Sequence, residues 1–283
     1  MAEKAFDYIR DVRLIDDSFF EIFFKDDPKY IEVVIHEIFK QLGHPLVKIQ
    51  KVSTQENLNS LNNREVRLDA LATDENGNLV NIEVQRAVSR ALTKRARYHS
   101  SLLDTNSLEK NSDFSELTET YVIFITESDY RGLGLPAYQV ERVYLEDKTA
   151  FDDGTHIIFV NGRYRGDDPI GRLMNDFFSK GADEMKNEVL AERLRFFKES
   201  EEGLEELSEV DARSVARGRD EGIIIGRDEG IAIGREEGRV EEKLRLAKPL
   251  ILDTLLPLET ISKACGLSLE ELEKIKNSIP NPA

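Results

Sequence analysis

Apolar positions recur at three- and four-residue steps in "YIEVVIHEIFKQL", where Ile31, Val34, Ile35, Ile38 and Leu42 share one helical face. A shorter helical stretch, "DDSFFEIFF", precedes it. Strand-like runs follow at "VRLDALA", "NLVNIEVQ", "TYVIFIT", "VERVYL" and "HIIFVNG", each rich in β-branched or aromatic residues and bounded by polar turns. Helical segments are expected near residues 86–104, 169–180 and 185–200. Strands interleaved with helices predict an α/β domain, a mixed central sheet flanked by helices.

Beyond about residue 200 the pattern changes. Gly218, Gly222, Gly226, Gly230, Gly234 and Gly238 recur at a strict four-residue step. On a helix they would form one stripe that lets a second helix approach, although each costs about 1 kcal/mol against alanine. Two readings follow: a self-association helix giving a homo-oligomer through residues 213–247, or a solvated, partly helical linker. The closing stretch "LETISKACGLSLEELEKIK" predicts two small helices broken at Gly266, with Ser268 as N-cap and Glu271 as its capping-box partner. The expected organisation is therefore a domain over 1–200, a charged glycine-repeat segment over 201–247 and a helical C-terminal unit over 248–283.

With 283 residues, 40% of them hydrophobic and 33% charged, the chain can bury a full core. Its single cysteine, Cys265, argues against a disulfide framework or a cysteine zinc cluster and makes a reducing, cytoplasmic setting the expectation. No apolar signal core and no run of about 18 apolar residues predict neither secretion nor a membrane span. The net charge of -16 opposes nonspecific coating of nucleic acid, but it is unevenly spread. Residues 199–211 hold seven acids and no base, whereas "RAVSRALTKRAR", residues 86–97, holds five bases and no acid.

The chemistry concentrates in "VRLDALATDENGNLVNIEVQR", residues 66–86. Strand alternation puts Arg67, Asp69 and Leu71 on one side of the first run, and Leu79, Asn81, Glu83 and Gln85 on one side of the second. A two-residue "NG" turn would pair position 69 with 84 and separate the acids. A three-residue loop, Glu75-Asn76-Gly77 with Gly77 left-handed, would instead pair 69 with 83 and leave the side-chain roots about 5 Å apart. Two carboxylates so placed suit Mg²⁺, which accepts one or two of them and completes its shell with water and phosphate oxygens. Gln85, on the same side, could hydrogen-bond an attacking water or a phosphate oxygen. The competing reading makes both acids surface charges at a sheet edge.

"RLDALATDENGNLVNIEVQR", "KRARYHSSLLD", "YVIFITESD", "GLPAYQVER", "FDDGTHIIFVNG" and "LMNDFF" occur in that order. On these, over residues 12–200, the chain resembles the PD-(D/E)XK nuclease family transposases, relatives of bacterial recombination-promoting nucleases. The resemblance implies a restriction-endonuclease-like sheet, DNA as partner, and Mg²⁺ with Mn²⁺ as its alternate. It implies Asp69, Glu83 and the backbone carbonyl of Val84 as ligands, with an acid of the first helix, Asp17 or one turn later Glu21, completing the site. Gln85 stands where the general pattern has lysine. Glutamine carries no charge, which leaves more of the nucleophile's activation to the metal.

On a helix starting after Gln85, the side chains of Arg86, Arg90, Lys94 and Arg97 fall within an arc of about 80°, opposite Val88, Leu92, Ala96 and Leu103. That arc is expected to hold DNA phosphates, with a solvated charged face as the bland alternative. The histidines lack ligand-like spacing, and only His99 is placed to approach the acids. "DENGN" fails as a calcium loop at its sixth and twelfth positions and reads as a hairpin turn. No Gly-rich loop ending in Gly-Lys-Ser/Thr occurs. The expected function is a Mg²⁺-dependent DNA endonuclease, and its rival is a catalytically silent interaction module that oligomerises through the glycine repeat.

Overall fold

The computed structural model describes residues 10–58, 66–86, 92–210, 243, 245–247, 249–251 and 256–278. The chain forms two compact units, residues 1–214 and 215–283. Arg90 and the glycine repeat lie outside the described residues.

The first unit opens with α1 (Asp17–Phe23) and α2 (Pro28–Leu42). Local chemistry bounds α2: Asp27 accepts the N–H of Lys29, Pro28 needs no N–H partner in the first turn, and Gly43 at φ +79° ends the helix. Its face of Ile31, Val34, Ile35 and Ile38 is buried, as the periodicity predicts. Strands β1 (Ile49–Leu58), β2 (Val66–Asp74), β3 (Leu79–Gln85), β4 (Thr120–Thr126), β5 (Ala137–Val140) and β6 (Thr155–Asn161) form one sheet in the order β1-β2-β3-β4-β6-β5. The neighbours β3, β4 and β6 are parallel, and the remaining pairings are antiparallel. β4 is buried along its whole length and forms the centre.

Helix α3 (Leu92–Ser107) packs over one face through Leu92, Ala96 and Leu103, against Val122, Phe124 and Phe159. Helices α1, α2, α4 (Pro169–Phe178) and α5 (Glu188–Glu199) cover the other face, where Ile82, Val84, Ile123 and Val160 meet Phe20, Ile35, Phe177 and Phe197. Two expectations shift. β1 is a strand that its polar composition hides, because this edge strand buries only its ends fully. The run "VERVYL" leaves the sheet after Val140, and Val143 makes only an isolated bridge to Ala150.

The hairpin turn takes its three-residue form. Asp74 N–H bonds to the Asn78 carbonyl, Gly77 N–H to the Asp74 carbonyl, and Gly77 adopts φ +83°. The buried Asp74 carboxylate accepts the N–H groups of Asn76 and Asn78 and the Asn78 side-chain amide, which pins the loop. The register that results pairs Ala70 with Ile82 and Thr73 with Leu79.

In the second unit α6 (Leu258–Cys265) and α7 (Leu269–Ser278) flank Gly266 at φ +66°. Ser268 and Glu271 form the expected capping box, with Ser268 N–H to Glu271 at 2.7 Å and Glu271 N–H to Ser268 at 3.3 Å. Ile261, Cys265, Leu267 and Leu272 make its small core. Among the described residues no helix is long and apolar enough to cross a membrane.

Candidate active site

The β2–β3 ladder stops at the two acids. Its last pair is Ala70 and Ile82, and the next step in that register sets Asp69 opposite Glu83. There the strands exchange side-chain contacts in place of backbone ones: Asp69 Oδ2 accepts the N–H of Val84 at 2.9 Å, and Glu83 Oε1 accepts the N–H of Asp69 at 3.3 Å. On the far side of β2, Gln55 lies between the residues paired with Ala70 and Leu68 and adopts φ +58°. Both neighbours of β2 are therefore irregular at position 69.

This irregularity overturns simple alternation. Ala70 and Ala72 enter the core under α1 and α2, but Leu68, of the same parity, enters the core under α3. Arg67 reaches back to Glu21 of α1 at 3.8 Å, whereas Leu71 packs on the α3 side. Arg67, Asp69 and Leu71 thus do not share one face. Asp69 sits at the changeover, where it feels both Glu83 from β3 and the charge of Asp17 from α1.

Burial raises the pKa of both carboxyls well above the usual range. For Glu83, with no exposed surface, the Asp69 charge raises it further and Arg95 opposes the rise. For Asp69 the Val84 N–H opposes the rise and Asp17 adds to it. Glu21, the other α1 candidate, is paired with Arg67.

The residue that sequence reading passed over is Arg95. Its Nη2 donates to Glu83 Oε2 at 2.8 Å and its Nη1 to Gln85 Oε1 at 2.7 Å. It stacks over Phe124, 5.6 Å from the ring centroid. His99 does approach the acids: it is buried, with Nδ1 3.6 Å from Glu83 Oε1 and 3.1 Å from the Asn81 amide. Burial, then Arg95, pushes its pKa down to about 4, so the ring is neutral.

The basic arc is rearranged. Arg86 lies at a bend rather than on a helix, and α3 begins at Leu92 among the described residues. Arg86 is paired with Asp16 at 3.3 Å and Glu127 at 3.5 Å, in a network that Arg13 joins from 3.6 and 3.9 Å. Lys94 and Arg97 are exposed on α3. Leu92, Ala96 and Leu103 are buried and Lys94 and Arg97 exposed, as the arc has them; Arg95 lies outside that arc, on the flank of α3 next to its buried face, where a basic residue reads as mere packing edge.

Among the described residues no group of three or more His, Cys, Asp or Glu side chains is arranged to hold a metal ion. Mg²⁺ does not require three, since one or two carboxylates with water and phosphate suffice. The donors here fit a hard divalent cation: a buried and a half-buried carboxylate side by side, a third acid acting on one of them, and the guanidinium groups of Arg95 and Arg67 opposing them.

A family model described as PD-(D/E)XK nuclease family transposase matches residues 14–161, just over half of the chain and all of β1 to β6. No curated protein and no solved structure matches the chain. With its acids at the broken end of a β-hairpin inside a six-stranded mixed sheet of restriction-endonuclease-like form, the chain belongs to the PD-(D/E)XK nuclease family transposases.

Proposed function

We propose that the chain is a divalent-metal-dependent DNA endonuclease, with Mg²⁺ the expected ion and Mn²⁺ its alternate, serving recombination or mobile-element processes. The observation that carries this reading is the juxtaposition of half-buried Asp69 and fully buried Glu83 at a point where the strands have parted. Asp69 and Glu83 would hold the ion, with the Val84 backbone and Asp17 beside them. Bound there, a divalent cation supplies a Lewis acid that polarises the scissile phosphate and lowers the pKa of water. The Val84 N–H fixes the direction of the Asp69 carboxylate. Gln85 turns its carbonyl oxygen to Arg95, which leaves its amide N–H groups to hold a water or a phosphate oxygen without taking a proton. Exposed Lys94 and Arg97 hold the DNA backbone and contribute no sequence reading.

Arg95 supports a second reading, since a guanidinium that already compensates Glu83 without a metal suits a silent nuclease fold kept for interaction, with the glycine repeat as its oligomerising element. One assay separates the two. Supercoiled plasmid incubated with the full chain and Mg²⁺ or Mn²⁺ should be nicked or linearised, and EDTA or Asp69→Asn should stop it. Cleavage that persists under either condition removes the metal reading.

A further inference from the structure

Glu83 has no exposed surface, and the group lying on it is the guanidinium of Arg95, itself 43% exposed. One planar fork spans the two residues of β3 that flank Val84, with Nη2 on Glu83 and Nη1 on Gln85. Behind it stand the Phe124 ring and His99, whose Nε2 lies 3.4 Å from Arg95 Nε. Two donors aimed at two acceptors from one rigid head is a task for arginine; lysine presents a single point charge.

A divalent cation held by Glu83 and the Arg95 fork need the same carboxylate. They also perform the same electrostatic task, offsetting two desolvated acids, so each makes the other less necessary. We infer that Arg95 is a positioning residue that holds Glu83 and Gln85 in the metal-free protein and surrenders Glu83 when a divalent cation binds. This rests on the metal-dependent reading above. It explains how a chain with Gln85 in the lysine position still carries a cation in its site: the charge comes from α3.

The sign of one measurement tests the exchange. Mn²⁺ is titrated calorimetrically at one pH into the full wild-type chain, Arg95→Met and Arg95→Lys. With the charge-assisted bonds to Glu83 gone, Arg95→Met should bind Mn²⁺ about tenfold more tightly, and Arg95→Lys should fall between. Its metal-free melting temperature should drop and recover on adding Mn²⁺. A merely structural role predicts weaker binding in the variant, the opposite direction. Equal or weaker affinity in Arg95→Met overturns the exchange and leaves the nuclease reading standing, while wild type and variants that all ignore Mn²⁺ remove both.

A second readout does not depend on the methionine variant folding. The side-chain N–H signals of Arg95, assigned by their absence in Arg95→Lys, should shift or broaden as Mg²⁺ saturates the wild-type chain. Signals unmoved at saturating Mg²⁺ mean the fork stays on Glu83, and the exchange fails.

Discussion

The Asp69 carboxylate and the Val84 N–H meet at 2.9 Å across two strands that no longer share a ladder. A carboxylate used this way is both a strand connector and a charge, and two substitutions separate the roles. Asp69→Asn keeps an acceptor for Val84 while deleting a desolvated charge beside Glu83 and near Asp17. It should raise the metal-free melting temperature and cut plasmid cleavage by about 10²-fold or more. Asp69→Ala should lose cleavage equally but also strand the Val84 N–H, costing about 1–3 kcal/mol in urea denaturation. Equal stability of the two variants would show that the hydrogen bond does not hold the strands.

Gly77 sets the register on which that contact depends. Its φ of +83° is left-handed, and a Cβ there would meet only ordinary contact with Thr118, so the penalty for other residues is conformational rather than steric crowding. Gly77→Val should cost about 1–2 kcal/mol, and Gly77→Asn clearly less, because asparagine tolerates this region. Denaturation midpoints rank them; a valine variant as stable as the asparagine one would mean that the loop adopts another turn.

Both turn options stayed open in "DENGN", and the hydrogen bonds that close the loop between Asp74 and Asn78 select the three-residue one. The buried face of α2 was readable from its three- and four-residue period, and the buried β4 from its unbroken apolar run. Arg95 and the kink at Asp69 were not. The first sits on the flank of α3 between its basic arc and its buried face, and only the fold shows that this flank lies over Glu83 and Gln85. The second depends on Gln55, whose left-handed backbone nothing in "KVSTQENL" announces, since neither glycine nor asparagine stands at that position. β1 escaped notice because an edge strand with polar positions along its length lacks the apolar alternation that marks its neighbours.

At the opposite end of the sheet, His156 is held between two acids, Nε2 2.7 Å from Glu119 and Nδ1 3.0 Å from Glu141. Burial opposes its protonation, but the hydrogen bonds to Glu141 and Glu119 outweigh it and raise the pKa above 6.5. Tyr121 stacks on the ring and His44 lies 5.5 Å away, its own pKa lowered by burial and then by His156. A raised folded-state pKa contributes stability that is complete below the unfolded value and fades as pH rises through the folded one. His156→Gln should therefore destabilise the first unit most near about pH 6 and much less near about pH 9. A deficit that is flat with pH would mean the imidazole is neutral and serves only as packing.

Lys94, Arg97 and Arg86 make different claims on DNA. Lys94 and Arg97 project from α3 with no ion pair among the described residues, whereas Arg86 already spends its charge on Asp16 and Glu127. Each phosphate neutralised contributes about 0.9 to the slope of log affinity against log salt on duplex DNA. Fluorescence anisotropy on a labelled duplex, with Asp69→Asn as background to prevent cutting, should show the slope falling by about 0.9 for Lys94→Gln and again for Arg97→Gln. Arg86→Gln should leave the slope nearly unchanged and instead free Asp16 and Glu127, so its cost should appear in stability. If Arg86→Gln lowers the slope while the two α3 variants do not, the backbone lies against the Arg13–Asp16 network rather than along α3, and the DNA path has to be redrawn along that network.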